Sequence, residues 1–171
     1  MSLKLRVFFD NHCQESIRNQ IKSILHEVFR NIIYIFYETE LLNRYSYNSA
    51  RSQFDASLIL TILNKKSPKD YFLGVVSEDI FVDGLNFVFG VAQIGKGAVI
   101  STFRLGFSSD ESLFKLRLEK TIKHELGHVF GLEHCTNNCV MRFANSLYEL
   151  DLKPNSYCSK CYKYLKSVNV F

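Results

Sequence analysis

Tryptophan is absent from this 171-residue sequence, and methionine and proline occur only twice each. With so little proline, no proline-rich linker divides the chain, and no repeat or low-complexity segment does so either. No run of about 18 uncharged apolar residues occurs, which argues against a transmembrane helix. At the N-terminus the apolar part of MSLKLRVFFDNH is cut short at Asp10, too early for the core of a secretory signal. Charge of one sign is never concentrated: 21 basic and 17 acidic residues are dispersed, with a net charge of +4. A nucleic-acid partner would want a basic stripe, so none is expected. The expectation is a cytoplasmic protein without a membrane partner.

What is present is a globular composition, 47% hydrophobic and 22% charged, with 15 Phe and 9 Tyr. That length supports one domain with a real core. Residues 3–9 read as a strand and Gln14–Phe29 as a helix, with Ile17, Ile21, Ile24, Leu25 and Val28 at helical spacing. Asn31–Tyr37 reads as a second strand and Ser52–Leu63 as a second helix, with Leu58 and Ile62 on its apolar side and Pro68 beyond its end. Strand-like runs follow at Tyr71–Val76, Asn86–Ala92 and Ala98–Leu105, the last two joined by a turn at Gly95, Lys96 and Gly97. A strong helix is expected from Glu111 to about Phe130, capped by Ser108, Ser109 or Asp110, with little regular structure after it. The alternation predicts an α/β or α+β layered fold.

On the long helix Leu118, Ile122, Leu126 and Val129 form one apolar stripe, expected to face the core. His124 and His128 are four apart and lie roughly opposite that stripe, as part of the stretch HELGHVFGLEHC. Shuffling the composition gives His-Glu-x-x-His in about one chain in a hundred; requiring the following glycine and third histidine lowers that to about one in 100,000. Two imidazoles one helical turn apart can bind one Zn²⁺, with Glu125 beside the first placed to act as general base on a water. Gly131 can adopt a left-handed conformation that ends the helix and returns His134 as a third ligand. Three protein ligands leave an open position, as catalytic zinc requires. Glu133 is the weaker candidate ligand. His26-Glu27 begins the same way, but position 30 is Arg, and His12 also lacks a partner at useful spacing.

Four of the five cysteines, Cys135, Cys139, Cys158 and Cys161, fall in two close pairs near the C-terminus. Their spacing fits a closed four-thiolate structural zinc site better than disulfides in a cytoplasmic protein. Cys13 reads as a small buried hydrophobe. Because His134 and Cys135 are adjacent, the two sites would share a wall, and the cysteine site would help place His134. Met141 follows the third histidine closely enough to form the methionine turn of the extended motif.

On HELGHVFGLEHC, CVM and CSKC, with the upstream stretch GLNFVFGVAQIGKGAVISTFRL, the chain resembles the archaemetzincins, a branch of the metzincin zinc metalloproteases. The resemblance runs from about Tyr71 to Cys161. It implies catalytic zinc on His124, His128 and His134, Glu125 as general base, Met141 beneath the site, and a second, structural zinc on Cys135, Cys139, Cys158 and Cys161. Three residues separate the first two cysteines where the family pattern has four, still adequate for zinc. The implied fold is a metzincin-like, twisted mixed sheet with packed helices over residues 1–133, above a short irregular subdomain over 134–171. Peptide or protein substrates would add as a strand to a sheet edge within residues 86–105. The alternative is a non-catalytic zinc module binding protein or nucleic acid through Lys160, Lys163 and Lys166.

Overall fold

The computed structural model describes residues 3–171. Its elements are β1 (Leu3–Asp10), α1 (Glu15–Val28), β2 (Ile32–Thr39), β3 (Tyr47–Asn48), β4 (Gln53–Asp55), α2 (Ala56–Lys66), β5 (Tyr71–Val76), β6 (Ile80–Phe81), β7 (Gly90–Gln93), β8 (Gly97–Ser101), a 3₁₀ turn at Arg104–Gly106, α3 (Glu111–Val129), α4 (Leu147–Leu152) and α5 (Ser159–Ser167). Five strands form a mixed sheet in the order β2-β1-β5-β8-β7. All neighbours are parallel except β7, which runs antiparallel to β8 at the edge. A small second sheet orders β3-β4-β6.

The apolar runs explain the layering. In β5 the residues from Phe72 to Val76 are all buried, as expected of a strand covered on both faces. One core packs Phe72, Val76 and Val99 against Ala56, Ile59 and Leu63 of α2. The other packs Leu73, Val75 and Ile100 against α1 and α3. That second core runs on into the C-terminal residues Leu150, Cys161, Leu165 and Val170, and the Phe29 and Phe171 rings stack at 5.9 Å.

Several boundaries differ from the sequence expectation. Residues Gln53–Asp55 form β4 instead of opening α2, because the Asp55 carboxylate accepts the Ser57 N–H at 2.8 Å and caps the helix there. Leu58 is consequently exposed, and the buried face is Ala56, Ile59 and Leu63. The run expected from Asn86 becomes a strand only at Gly90; before it Val88 makes an isolated bridge to Ile80. The run to Leu105 leaves the sheet at Ser101, where the Ser101 hydroxyl donates to the Glu78 carbonyl and accepts the Phe103 N–H. The turn between β7 and β8 is residues 94–96, with Gly95 at φ +74° and Gly97 already in the strand.

The largest correction lies after α3. The segment expected to lack regular structure contains α4 and α5. Both are short, and α4 is capped by Ser146, whose hydroxyl accepts the Glu149 N–H. Arg117 and Lys120 of α3 hold α4 by hydrogen bonds to Asp151 and Leu150, whereas α5 buries Cys161 and Leu165, four apart on one face. No helix among the described residues is long and apolar enough to cross a membrane.

Candidate active site

Helix α3 positions the centre. Asp110 caps it, accepting the Leu113 N–H at 2.8 Å, and the stripe Leu118, Ile122, Leu126 and Val129 is buried, as expected. The opposite face is also covered. The sequence reading kept His124 out of the core, but it is only 8% exposed, because the C-terminal segment closes over that side of the helix. Arg117 holds this cover down: it donates to both Asp151 carboxylate oxygens at 2.7 Å and to the carbonyls of Leu105 and Phe107. Lys120 donates to the carbonyls of Leu150 and Asp151, and Lys123 to that of Asn155.

Helix α3 ends at Val129, and Gly131 follows at φ +104°, a conformation that favours glycine. The turn brings His134 back beside the helix. The ring centroids of His124, His128 and His134 lie 4.6, 4.7 and 5.3 Å apart. Their candidate ligand atoms all fall within 4.8 Å of one another. His124 Nδ1 is 3.0 Å from the Val140 carbonyl and His128 Nδ1 is 2.7 Å from that of Leu132. Nδ1–H donation to those oxygens leaves both Nε2 lone pairs pointing inward. The two Nε2 atoms are 3.1 Å apart, close to the roughly 3.3 Å edge of a tetrahedron with Zn–N bonds of about 2.05 Å. Burial holds all three imidazoles below the ordinary histidine pKa, most strongly His124, and favours the neutral form a metal needs. The histidine trio therefore fits a zinc ion. Glu133 is exposed and stands outside the trio.

Glu125 lines the same cavity, about 340 Å³ in volume, and is 6% exposed. Burial raises its carboxyl pKa to about 8, with the nearby Lys153 ammonium pulling in the opposite direction. Met141 is buried, and its thioether lies against Gly127 beneath the histidine turn of α3. Phe143 presents its ring edge-on to His134 at 5.3 Å. The edge strand β7 forms the opposite wall, within the span expected to take a substrate strand.

The sulfur atoms of Cys135, Cys139, Cys158 and Cys161 also lie within 4.8 Å of one another, and no disulfide joins them. Cys135 Sγ and Cys158 Sγ are 3.8 Å apart, the edge expected for a tetrahedron with Zn–S bonds of about 2.3 Å. The Cys158 N–H donates to Cys139 Sγ at 3.2 Å, and hydrogen bonding, led by the Cys161 backbone, lowers the Cys158 thiol pKa to about 6. Burial pushes the Cys139 and Cys161 thiols up, so four thiolates together require a cation. The remaining cysteine, Cys13, is buried among apolar residues. His26 packs edge-on against Tyr34, and His12 pairs with Asp10; neither joins the cluster.

A model of peptidase family M54 matches residues 16–167. The chain belongs to that family. Among relatives of this M54 chain, the archaemetzincin of Archaeoglobus fulgidus is 47% identical over 116 residues, covering 67% of this chain and 70% of the relative. The archaemetzincin of Methanocaldococcus jannaschii is 45% identical over 134 residues, covering 74% of each. The crystal structure of the Archaeoglobus fulgidus archaemetzincin complexed with malonate superposes with a TM-score of 0.86 at 36% identity, covering 95% of this chain and 99% of that one. A zinc-dependent peptidase from Methanocorpusculum labreanum gives 0.80 at 26% identity, covering 94% and 99%. The M54 chain is a zinc metallopeptidase, and its substrates are peptides or proteins.

One feature of the site escaped the sequence reading. Lys153 is 5% exposed and lines the cavity, with its Nζ 3.2 Å from His124 Nδ1 and 3.2 Å from the Arg142 carbonyl. Burial lowers its pKa to about 8, against an opposing pull from Glu125. Nothing in its neighbourhood in the sequence distinguishes it from a surface lysine.

Proposed function

We propose that His124, His128 and His134 hold the catalytic zinc, that Glu125 is the general base, and that Cys135, Cys139, Cys158 and Cys161 hold a second, structural zinc. When bound, the ion on the histidines would supply Lewis acidity toward water and the scissile carbonyl. Glu125, as a carboxylate in the same cavity, takes the proton from the attacking water and returns it to the leaving amine. In the metal-free chain burial raises that carboxyl's pKa to about 8, and a cation held by the histidines would favour the carboxylate form that the base needs. Met141 supports the helix beneath the histidines, and the edge strand β7 offers unpaired backbone groups to an extended peptide.

The single observation that carries this reading is the convergence of three inward-facing imidazole nitrogens and one buried carboxylate on one cavity. The test is Glu125→Gln, with zinc counted and peptide hydrolysis assayed together. Two zinc ions retained with turnover abolished is the expected result. A Glu125→Gln variant that still cleaves at the wild-type rate would remove the proposed base. Metal counting on His128→Ala should give one zinc in place of two.

A further inference from the structure

A buried ammonium is costly unless it is paired, and the other lysines on this side of α3 obey that rule. Lys120 has two carbonyl acceptors at 3.0 and 2.9 Å, and Lys123 pairs with Glu119 at 2.6 Å as well as with the Asn155 carbonyl. Lys153 is nearly as buried as Lys120 and, like it, takes part in no ion pair among the described residues, but it has one carbonyl acceptor where Lys120 has two, and the opposite charge acting on it is the Glu125 carboxyl in the same cavity. An ammonium has three hydrogens to place. The Arg142 carbonyl takes one, at a long 3.2 Å.

The second contact, to His124 Nδ1, is not an acceptor in the tautomer that the trio needs. With Nε2 turned toward a metal, Nδ1 carries the proton and gives it to the Val140 carbonyl. Lys153 and His124 then face each other donor to donor, and two ammonium hydrogens have no hydrogen-bond acceptor among the described residues. The cavity that Lys153 lines is the one holding Glu125 and the histidines, and its other walls include the aromatic rings of Phe87 and Phe89 and the buried Thr121. Such walls lower the local dielectric and strengthen an ion pair formed inside.

We propose that Lys153 is a carboxylate-binding subsite in the wall of the cleft, selecting substrates with an acidic side chain or a chain-terminal carboxylate beside the bond that is cut. The inference rests on the reading of this cleft as the peptidase site, and adds the substrate chemistry that the family does not state. A charge-assisted bond in a water-poor site contributes about 1.5–3 kcal/mol, or about 10-fold or more in preference over the amide analogue.

The experiment uses the zinc-loaded full chain and matched peptides that differ only by Glu or Gln at each position flanking the cleaved bond, each with a free or an amidated C-terminus. Wild type should favour one carboxylate over its amide by about 10-fold or more in kcat/KM, and Lys153→Met should bring that ratio to about 1. The Glu/Gln arm identifies a side chain and the free/amide arm a terminus. Lys153→Met removes a buried ammonium that has one carbonyl acceptor and no ion pair among the described residues, and should not unfold the chain, and Lys153→Gln, which keeps donors without charge, should give an intermediate ratio. A wild-type ratio near 1 in every arm, or an undiminished preference in Lys153→Met, overturns the subsite. If no peptide is cleaved, equilibrium binding of the same pairs to zinc-loaded Glu125→Gln decides. A carboxylate preference there that Lys153→Met abolishes sustains the subsite although hydrolysis has failed, and its absence overturns it.

Discussion

Gly90 of the edge strand and Glu125 of α3 touch so closely that a Cβ built on Gly90 would lie 2.6 Å from Glu125 Cγ and 2.9 Å from its carboxylate Oε1. Gly90 has no left-handed backbone to explain it, so its lack of a side chain is what makes room for the proposed base. The strand proposed to take substrate and the carboxylate proposed as base are thus in direct contact. Gly90→Ala should push Glu125 aside and lower kcat by about 100-fold while zinc content is unchanged. Gly106→Ala, where nothing lies within 4 Å of the added carbon, serves as the control. Full turnover in Gly90→Ala would show that Glu125 tolerates displacement.

The cysteine cluster and the histidine trio are coupled through backbone as well as sequence adjacency. The Cys135 N–H donates to the Met141 carbonyl at 3.0 Å, and the Val140 carbonyl, one residue earlier, accepts from His124. Removing a thiolate should loosen both bonds. Cys161→Ser is expected to lose the metal proposed for the cysteine cluster and also to lower occupancy at the histidines, measured by metal analysis after dialysis. Retention of one full equivalent at the histidines would mean that the two sites are independent.

Arg117 is 4% exposed at its side chain and shares its charge with Asp151 through two 2.7 Å bonds. Asp151→Ala leaves that guanidinium buried with carbonyl partners only. The expected loss is about 3 kcal/mol in urea unfolding, the low end for breaking a buried pair because Asp151 is partly exposed. A loss below about 0.5 kcal/mol would class the pair with ordinary surface bridges.

The metal-free protein should gain stability from pH 5 to about 6.5 and then level off. The three imidazoles stay neutral when folded but protonate when unfolded below their ordinary value of 6.5, so stability falls as pH drops through that range. Glu125 acts with the opposite sign. Folded it keeps its proton to about 8, whereas unfolded it loses it near 4.5, so between those values it costs stability as pH rises. Below about 6.5 the three histidines outweigh the one carboxyl; above it the Cys158 thiol, lowered to about 6 when folded against an ordinary 9.0, adds stability as pH rises and opposes Glu125. Thermal unfolding temperature should therefore rise from pH 5 to about 6.5 and then level off towards 8, and Glu125→Gln should turn that plateau into a further rise. A plateau unchanged in that variant would remove Glu125 from the balance.

The sequence by itself determined the strand-helix alternation, the stripe on α3, the turn at Gly131 and the identity of the seven candidate ligands. Each of these is local: period, spacing and backbone preference act over a few residues, and zinc chemistry demands residue types that chance seldom clusters. Only the tertiary structure decided that His124 is buried, that α4 is held against α3, that Gly90 yields its space to Glu125, and that Lys153 stands beside His124 with one carbonyl acceptor. Those outcomes depend on contacts between segments distant in sequence, such as Arg117 with Asp151 and His124 with Lys153. Burial and pairing energies act on what the fold brings together, and no window of neighbouring residues records them.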